Sequence, residues 1–252
     1  MTRDLVTDAN ENLRCAFGTL ADEVQFGKIR QFGPLTAACA VVSAPLFNRV
    51  FVFDSPSNGD LSAAVAWMSE LDVPFWVTVV EPAVEEVRPY RADLDLVKAI
   101  EQPGMAMESL DEIPPPSSVA DIVEVTDPDE RDEFSRVTAS AFEWPLDAAE
   151  RIDRAALAAD DMRLFLGRVD GHPAASGLLI RSGDVAGVYS ISVVEEFRRR
   201  GIGEAMTRKV LRAGREAGCQ VGVLQSSEMG YPIYKRMGFE TVVTYHQFEL
   251  TG

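Results

Sequence analysis

The chain has 252 residues, enough to bury one large core or two small ones, and 46% hydrophobic with 25% charged residues is the balance of a folded protein rather than a disordered one. A net charge of −16 repels nucleic-acid phosphates and anionic membranes. No apolar run approaches the ~18 residues of a membrane span, and the polar, acidic start offers no secretory core, so a cytoplasmic protein is expected, with neither nucleic acid nor membrane as partner.

In the front half, 40–53 reads as strand and 61–71 as helix capped by Asp60. A strand over 73–80, a helix over 82–90 and a final strand over 104–110 follow. Residues 111–118 hold three consecutive prolines, which donate no backbone hydrogen bond and favour an extended segment, so they read as an interdomain linker. Behind it, 119–125 alternates like a half-buried strand. Residues 128–142 carry Phe134, Val137 and Ala141 at helical spacing, and Asp147 is placed to cap a second helix reaching about residue 158. Strands at 162–169 and 174–180 are joined by Asp170-Gly171, a hairpin signal. A strand over 185–194 leads to a helix over 203–217, which buries Met206, Val210 and Ala213 and turns Arg208, Lys209, Arg212 and Arg215 to water. Then come a strand at 220–225, a short helix ending at Gly238, and one or two strands over 239–250. The front half repeats this closing order in its elements, though not in its residues, and is expected to be a degenerate copy of the same unit.

Cys15, Cys39 and Cys219 are odd in number and lack C-x-x-C spacing, and His172 and His246 are the only histidines, so neither a disulfide framework nor a metal site is expected. Lysine occurs only at 28, 98, 209 and 235; arginine supplies the remaining positive charge. The acidity fits a salt-adapted host, or an arginine-rich cytosolic protein.

The segment from Tyr189 to Met206 carries the chemistry. A strand ends, a short loop brings Arg198, Arg199, Arg200, Gly201 and Gly203, and a helix starts at once. Glycines let the backbone approach a diphosphate without a Cβ clash, and N–H groups at a helix N-terminus point at the anion. A Walker A loop would need Lys and Ser/Thr after its second glycine, where Glu204 and Ala205 stand; a dinucleotide fingerprint would need a small residue at Met206. The remaining pattern, R-x-x-G-x-G, fits Arg198, Gly201 and Gly203. Some thirty residues on, Tyr234-x-x-x-Gly238-Phe239 closes a short helix.

In this order and spacing, the two motifs resemble the GNAT N-acetyltransferase superfamily, closely over the last ~60 residues and in outline upstream. The resemblance implies an α/β (α+β) fold of two GNAT-like domains, each a mixed, largely antiparallel twisted sheet flanked by helices: a degenerate domain over 1–112, a linker over 113–118, and an acetyl-CoA-binding domain over 119–252. It implies an acetyl group moving from acetyl-CoA to a primary amine of a small amine or peptide acceptor, by direct attack. Pantetheine would lie along Ile191, Ser192 and Val193, the diphosphate on Arg198, Arg199, Arg200, Gly201, Ile202 and Gly203, and Ser226 would touch the cofactor. Tyr234 holds the position of the acid that protonates the leaving thiolate, with Tyr231 as the fallback. Glu143, Tyr189 and Ser190 lie where the acceptor enters, and no base is identified. Arg199 and Glu195 depart from the family pattern, and Glu195 and Glu196 oppose a diphosphate. The corresponding front-half loop, residues 54–60, has one glycine, no arginine and an aspartate at each end, which disfavours an anion. Oligomeric state stays open, a homodimer included, and so does an acyl-CoA-binding regulator or scaffold without turnover.

Overall fold

The computed structural model describes residues 3–251; the outermost ends of both expected halves, residues 1, 2 and 252, lie outside it. In chain order the elements are α1 (Leu5–Glu23), β1 (Lys28–Phe32), β2 (Leu35–Cys39), β3 (Asn48–Val52), α2 (Asn58–Ser69), β4 (Trp76–Val79), α3 (Ala83–Val87), β5 (Leu96–Met107), β6 (Asp121–Glu124), α4 (Pro128–Phe142), α5 (Leu146–Ala158), β7 (Met162–Val169), β8 (His172–Ser182), β9 (Val185–Val193), α6 (Ile202–Glu216), β10 (Val221–Gln225), α7 (Tyr231–Met237) and β11 (Glu240–Leu250).

The eleven strands of the described residues join one mixed sheet in the order β1-β2-β3-β4-β11-β5-β10-β9-β8-β7-β6. The order contains a repeat. β1, β2 and β3 are antiparallel neighbours, β3 and β4 run parallel around α2, and β11 closes antiparallel to β4. Likewise β7, β8 and β9 are antiparallel, β9 and β10 run parallel around α6, and β5 closes antiparallel to β10. Each half therefore takes its last strand from the other, and β5 and β11 pair with each other from Glu240↔Ala106 to Leu250↔Leu96. The halves share one sheet.

Period-two alternation assigns each strand residue to a face. One face packs against α1, α4 and α5 through Leu13, Phe17, Phe51, Phe134, Ile152 and Leu178. The opposite face carries α2 in the front half, over Val50, Val77 and Phe248, and α6 in the back half, over Phe165, Leu179 and Val188.

Several local expectations change. Helix α1 was not foreseen; Asp4 caps it, accepting from the Val6 and Thr7 N–H groups. Ser57, not Asp60, caps α2: its hydroxyl accepts from the Asp60 N–H at 3.1 Å, while Asp60 sits in the first turn. Asp147 likewise lies inside the first turn of α5, whose cap position is Pro145, because the helix already starts at Leu146. β5 starts at Leu96, well before residue 104, since cross-strand pairing with β11 holds its largely exposed first part in the sheet. Arg208, Lys209 and Arg212 are half-buried rather than turned to water: Arg208 pairs with Glu204, Lys209 lies over the Phe165 ring, and Arg212 Nη1 donates to the Ile113 carbonyl at 3.1 Å. That last bond, with the burial of Leu110 and Ile113, lashes the proline-rich segment to the back half.

Between α4 and α5, the buried Asp153 carboxylate accepts from Ser135 Oγ at 2.8 Å and lies 3.3 Å from Thr138 Oγ1. Burial lifts its pKa from 3.8 to about 7. The folded state then holds this proton more tightly than the unfolded one, so the contribution to stability is fullest below about pH 4 and is lost as pH rises through 7. Asp153→Asn should stabilise the protein at pH 8, on the order of 3 kcal/mol, and lose that advantage near pH 4. Denaturant unfolding of both proteins at the two pH values checks this; an equal effect at both would refute it.

Candidate active site

The parallel pairing of β9 with β10 covers only Val185↔Val221, Ala186↔Gly222 and Gly187↔Val223. Beyond Gly187, β9 continues to Val193 and β10 to Gln225 without meeting, so the two strands splay and a cleft opens at their carboxyl ends. This is where open α/β sheets take ligands. β9 also carries a bulge: the register against β8 slips between Ser176↔Ser192 and Leu178↔Tyr189, and Ser190 adopts φ +48°. The Ser176 hydroxyl pins the bulge, 2.8 Å from the Ser190 carbonyl and 2.7 Å from Ser192 Oγ.

After β9 the chain makes a 3-10 turn over Glu195–Phe197 and enters α6 through Arg199 at φ +62° and Gly201 at φ +81°. No side chain among the described residues caps α6. Among the described residues, no protein acceptor takes the N–H groups of Gly201, Ile202 or Gly203, which leaves a ready anion site at a positive helix end. A Cβ at Gly201 would meet open space, and one at Gly203 only Val193 Cγ2 at 3.7 Å. Arg198 folds back, its Nε donating to the Val193 carbonyl at 3.0 Å, and so fixes the end of the strand. Arg200 lies over the Phe197 ring and donates to the Glu196 carbonyl; Arg199, Glu195 and Glu196 are exposed.

The front half closes the equivalent place. β3 and β4 stay paired through Val52↔Val79, and the Val80 N–H donates to the Val52 carbonyl. The N-terminus of α2 is occupied by the Ser57 cap.

Ile191, Val193, Tyr231 and Tyr234 pack into one apolar cluster on the α6 face. The Tyr234 ring meets Phe239 edge-on, with centroids 5.9 Å apart. Burial raises its pKa to about 12, partly offset by the nearby Thr207 hydroxyl, so the phenol stays protonated at neutral pH. Tyr231 reaches Thr241 Oγ1 at 3.3 Å. Ser226 is buried, its N–H donating to the Pro103 carbonyl and its hydroxyl to the Ser227 carbonyl, so its polar atoms are already engaged within the chain. Glu143 is the exposed left-handed residue that ends α4. Among the described residues no cluster of His, Cys, Asp and Glu could hold a metal, and no helix is long and apolar enough to cross a membrane.

The α1 face beside the cleft holds polar residues that sequence reasoning missed, Tyr189 excepted. Tyr189 donates to Asn12 Oδ1 of α1 at 2.8 Å, and Gln225 stands beside it. Arg49 of β3 is 1% exposed, with its guanidinium 4.4 Å from the Phe17 ring centroid and 5.3 Å from that of Trp76. Its signal in the sequence is an arginine next to Asn48 at the start of a strand that continues Val50-Phe51-Val52.

Residues 122–231 match the acetyltransferase (GNAT) domain family. The chain carries a GNAT acetyltransferase domain. Similarity of fold extends beyond that match to nearly the whole chain. A GCN5-related N-acetyltransferase from Kribbella flavida superposes with a TM-score of 0.70 at 19% identity, covering 95% of either chain. A conserved protein of unknown function from Staphylococcus epidermidis gives 0.61 at 16% identity over 90% of this chain and 95% of its own. A GCN5-related N-acetyltransferase from Sphaerobacter thermophilus gives 0.57 at 16% identity over 85% and 76%. At such identities the likeness is one of fold. No curated protein matches the chain in sequence. The splayed strands, the uncapped α6 and the Tyr234 helix belong to the GNAT domain or adjoin it; β3, β4 and α1 lie outside the matched segment.

Proposed function

We propose that this GNAT domain transfers an acetyl group from acetyl-CoA to a primary amine, by direct attack of the amine on the thioester. The observation that carries the reading is the splay of β9 from β10 beside the free N–H groups of α6. Acetyl-CoA would supply the activated acetyl group. The free N–H groups at Gly201, Ile202 and Gly203 would hold its diphosphate, with Arg199 and Arg200 adding positive charge and Arg198 holding the loop in shape. The unpaired edge of β9 at Ile191, Ser192 and Val193 would bond pantetheine as an added strand. Ser226, with its N–H and hydroxyl already committed within the chain, would contribute only shape. Tyr234, kept neutral by burial, would deliver a proton to the leaving thiolate, whose own thiol pKa is about 8.5.

The matching strand order of the two halves supports a duplicated ancestry for the chain, with residues 1–112 as a degenerate GNAT-like lobe, 113–118 as the connection and 119–252 as the acetyl-CoA lobe. The closed β3–β4 pair and the capped α2 favour a front half that shapes the acceptor side and binds no cofactor of its own. One observation favours a second reading, acyl-CoA binding without turnover: the Tyr234 ring packs inward against Phe239. Calorimetric titration of acetyl-CoA, followed by an amine panel, separates the cases. Micromolar binding with acetylation supports the transferase, binding without acetylation of any amine supports the regulator, and no binding by folded protein sinks both.

A further inference from the structure

We propose that Arg49, together with the Tyr245 hydroxyl and the N–H groups of Gln225 and Trp76, binds the carboxylate of the acceptor, so that the acceptor is a primary amine that also bears a carboxylate. This rests on the acetyl-transfer reading above.

A guanidinium offers five N–H donors and keeps its charge inside a protein. Arg49 uses Nε on the Leu46 carbonyl at 2.7 Å and Nη1 on Thr78 Oγ1 at 3.4 Å; its Nη2 has no protein partner among the described residues. The chain holds 40 aspartates and glutamates, yet among the described residues none forms an ion pair with this buried cation. An unpaired buried charge is costly, and burial pulls the Arg49 pKa down to about 9. A structural arginine would be expected to find an acid in so acidic a protein.

The neighbours share the shortage of acceptors. Among the described residues, Tyr245 OH, Gln225 Nε2 and Trp76 Nε1 are buried with no hydrogen-bond partner in bonding geometry, Gln225 standing beside the Tyr189 hydroxyl. Tyr245 is close enough for its charge state to feel both Arg49 and Tyr189. Four unsatisfied donors, one of them cationic, therefore lie on the α1 face of the sheet. A carboxylate supplies the missing charge and accepts two parallel N–H bonds from a guanidinium. A phosphate would bring up to two charges against one.

The location suits an acceptor. Gln225 ends β10 at the mouth of the splay, and Tyr189 lies on β9 opposite it. The α6 N-terminus and Tyr234 are on the other face, so an amine held by its carboxylate on the α1 face would meet a thioester presented from the α6 face. The front half would then contribute Arg49 and Trp76 to substrate recognition.

The test is acetylation of matched pairs, amino acids against their amides, by wild type, Arg49→Met and Tyr245→Phe, with acetyl-CoA affinity measured calorimetrically on each. Wild type should prefer the free carboxylates by roughly 100-fold in kcat/KM, mostly through KM. Tyr245→Phe removes an unpartnered hydroxyl, should keep the fold, and should cut that preference about tenfold. Arg49→Met should erase it, with acetyl-CoA affinity unchanged. If Arg49→Met does not fold, Tyr245→Phe decides alone. Equal use of amides, preference for amino phosphates, a preference that survives in every folded variant, or no acetylation of carboxylated amines by protein that binds acetyl-CoA would each overturn the proposal. Failure of wild type to bind acetyl-CoA would instead overturn the transfer reading, and this one with it.

Discussion

Gly203→Asp should weaken acetyl-CoA binding at least about 100-fold, roughly 2.7 kcal/mol, while leaving thermal stability unchanged or slightly raised. The two effects have opposite signs for one physical reason. An aspartate in the first turn of α6 favours the helix by about 0.3–1 kcal/mol through the dipole. The same carboxylate would occupy the ground where the free N–H groups of Gly201, Ile202 and Gly203 converge, and would repel a diphosphate there. The fold has room for the side chain, since the nearest atom to a Cβ at this position is Val193 Cγ2 at 3.7 Å. Arg198→Ala is a useful companion. It should lower affinity less, because Arg198 spends its Nε on the Val193 carbonyl and acts through the shape of the loop. Calorimetry with thermal denaturation on the same samples measures both quantities. Retained affinity in folded Gly203→Asp would remove the α6 N-terminus from the site.

Tyr234→Phe should lower kcat by about 10²–10⁴-fold, the usual range for loss of a positioned acid, and leave acetyl-CoA affinity within a few-fold. The substitution keeps the ring that packs against Phe239 and removes only the hydroxyl beside Thr207, so the fold should hold. With the phenol pKa raised to about 12, wild-type activity should not fall on the alkaline side through loss of this proton below pH 11. A Tyr234→Phe enzyme within fivefold of wild type would pass the role to Tyr231, or to water, and would strengthen the binding-only reading.

Much of the back half was legible because its signals are local. The Phe134, Val137 and Ala141 spacing marks α4 with its observed limits, and Asp170-Gly171 turns β7 into β8. Gly238 closes α7 at φ +99°. Helix starts were less legible: Asp60 and Asp147 have the composition of caps, but the first helical turn begins before either of them. Helix α1 lay in a stretch of polar and acidic residues whose apolar stripe, Leu13, Phe17 and Leu20, is buried only against the shared sheet.

The sequence by itself determined a loop chemistry: arginines and glycines between a strand and a helix, followed by a tyrosine helix ending in Gly-Phe, in a chain otherwise strongly acidic. Those features depend on neighbours within a few residues, so they survive without a fold. Tertiary structure alone decided that β5 and β11 are exchanged between the halves, because strand pairing is a long-range choice that leaves little local trace. It alone decided that β9 and β10 part after Gly187 while β3 and β4 stay closed. It also brought Arg49, Trp76, Gln225 and Tyr245, nearly two hundred residues apart at the extremes, onto one face beside the cleft. Their chemistry resides in being buried together without an acid, a property of packing that no spacing of residues along the chain encodes.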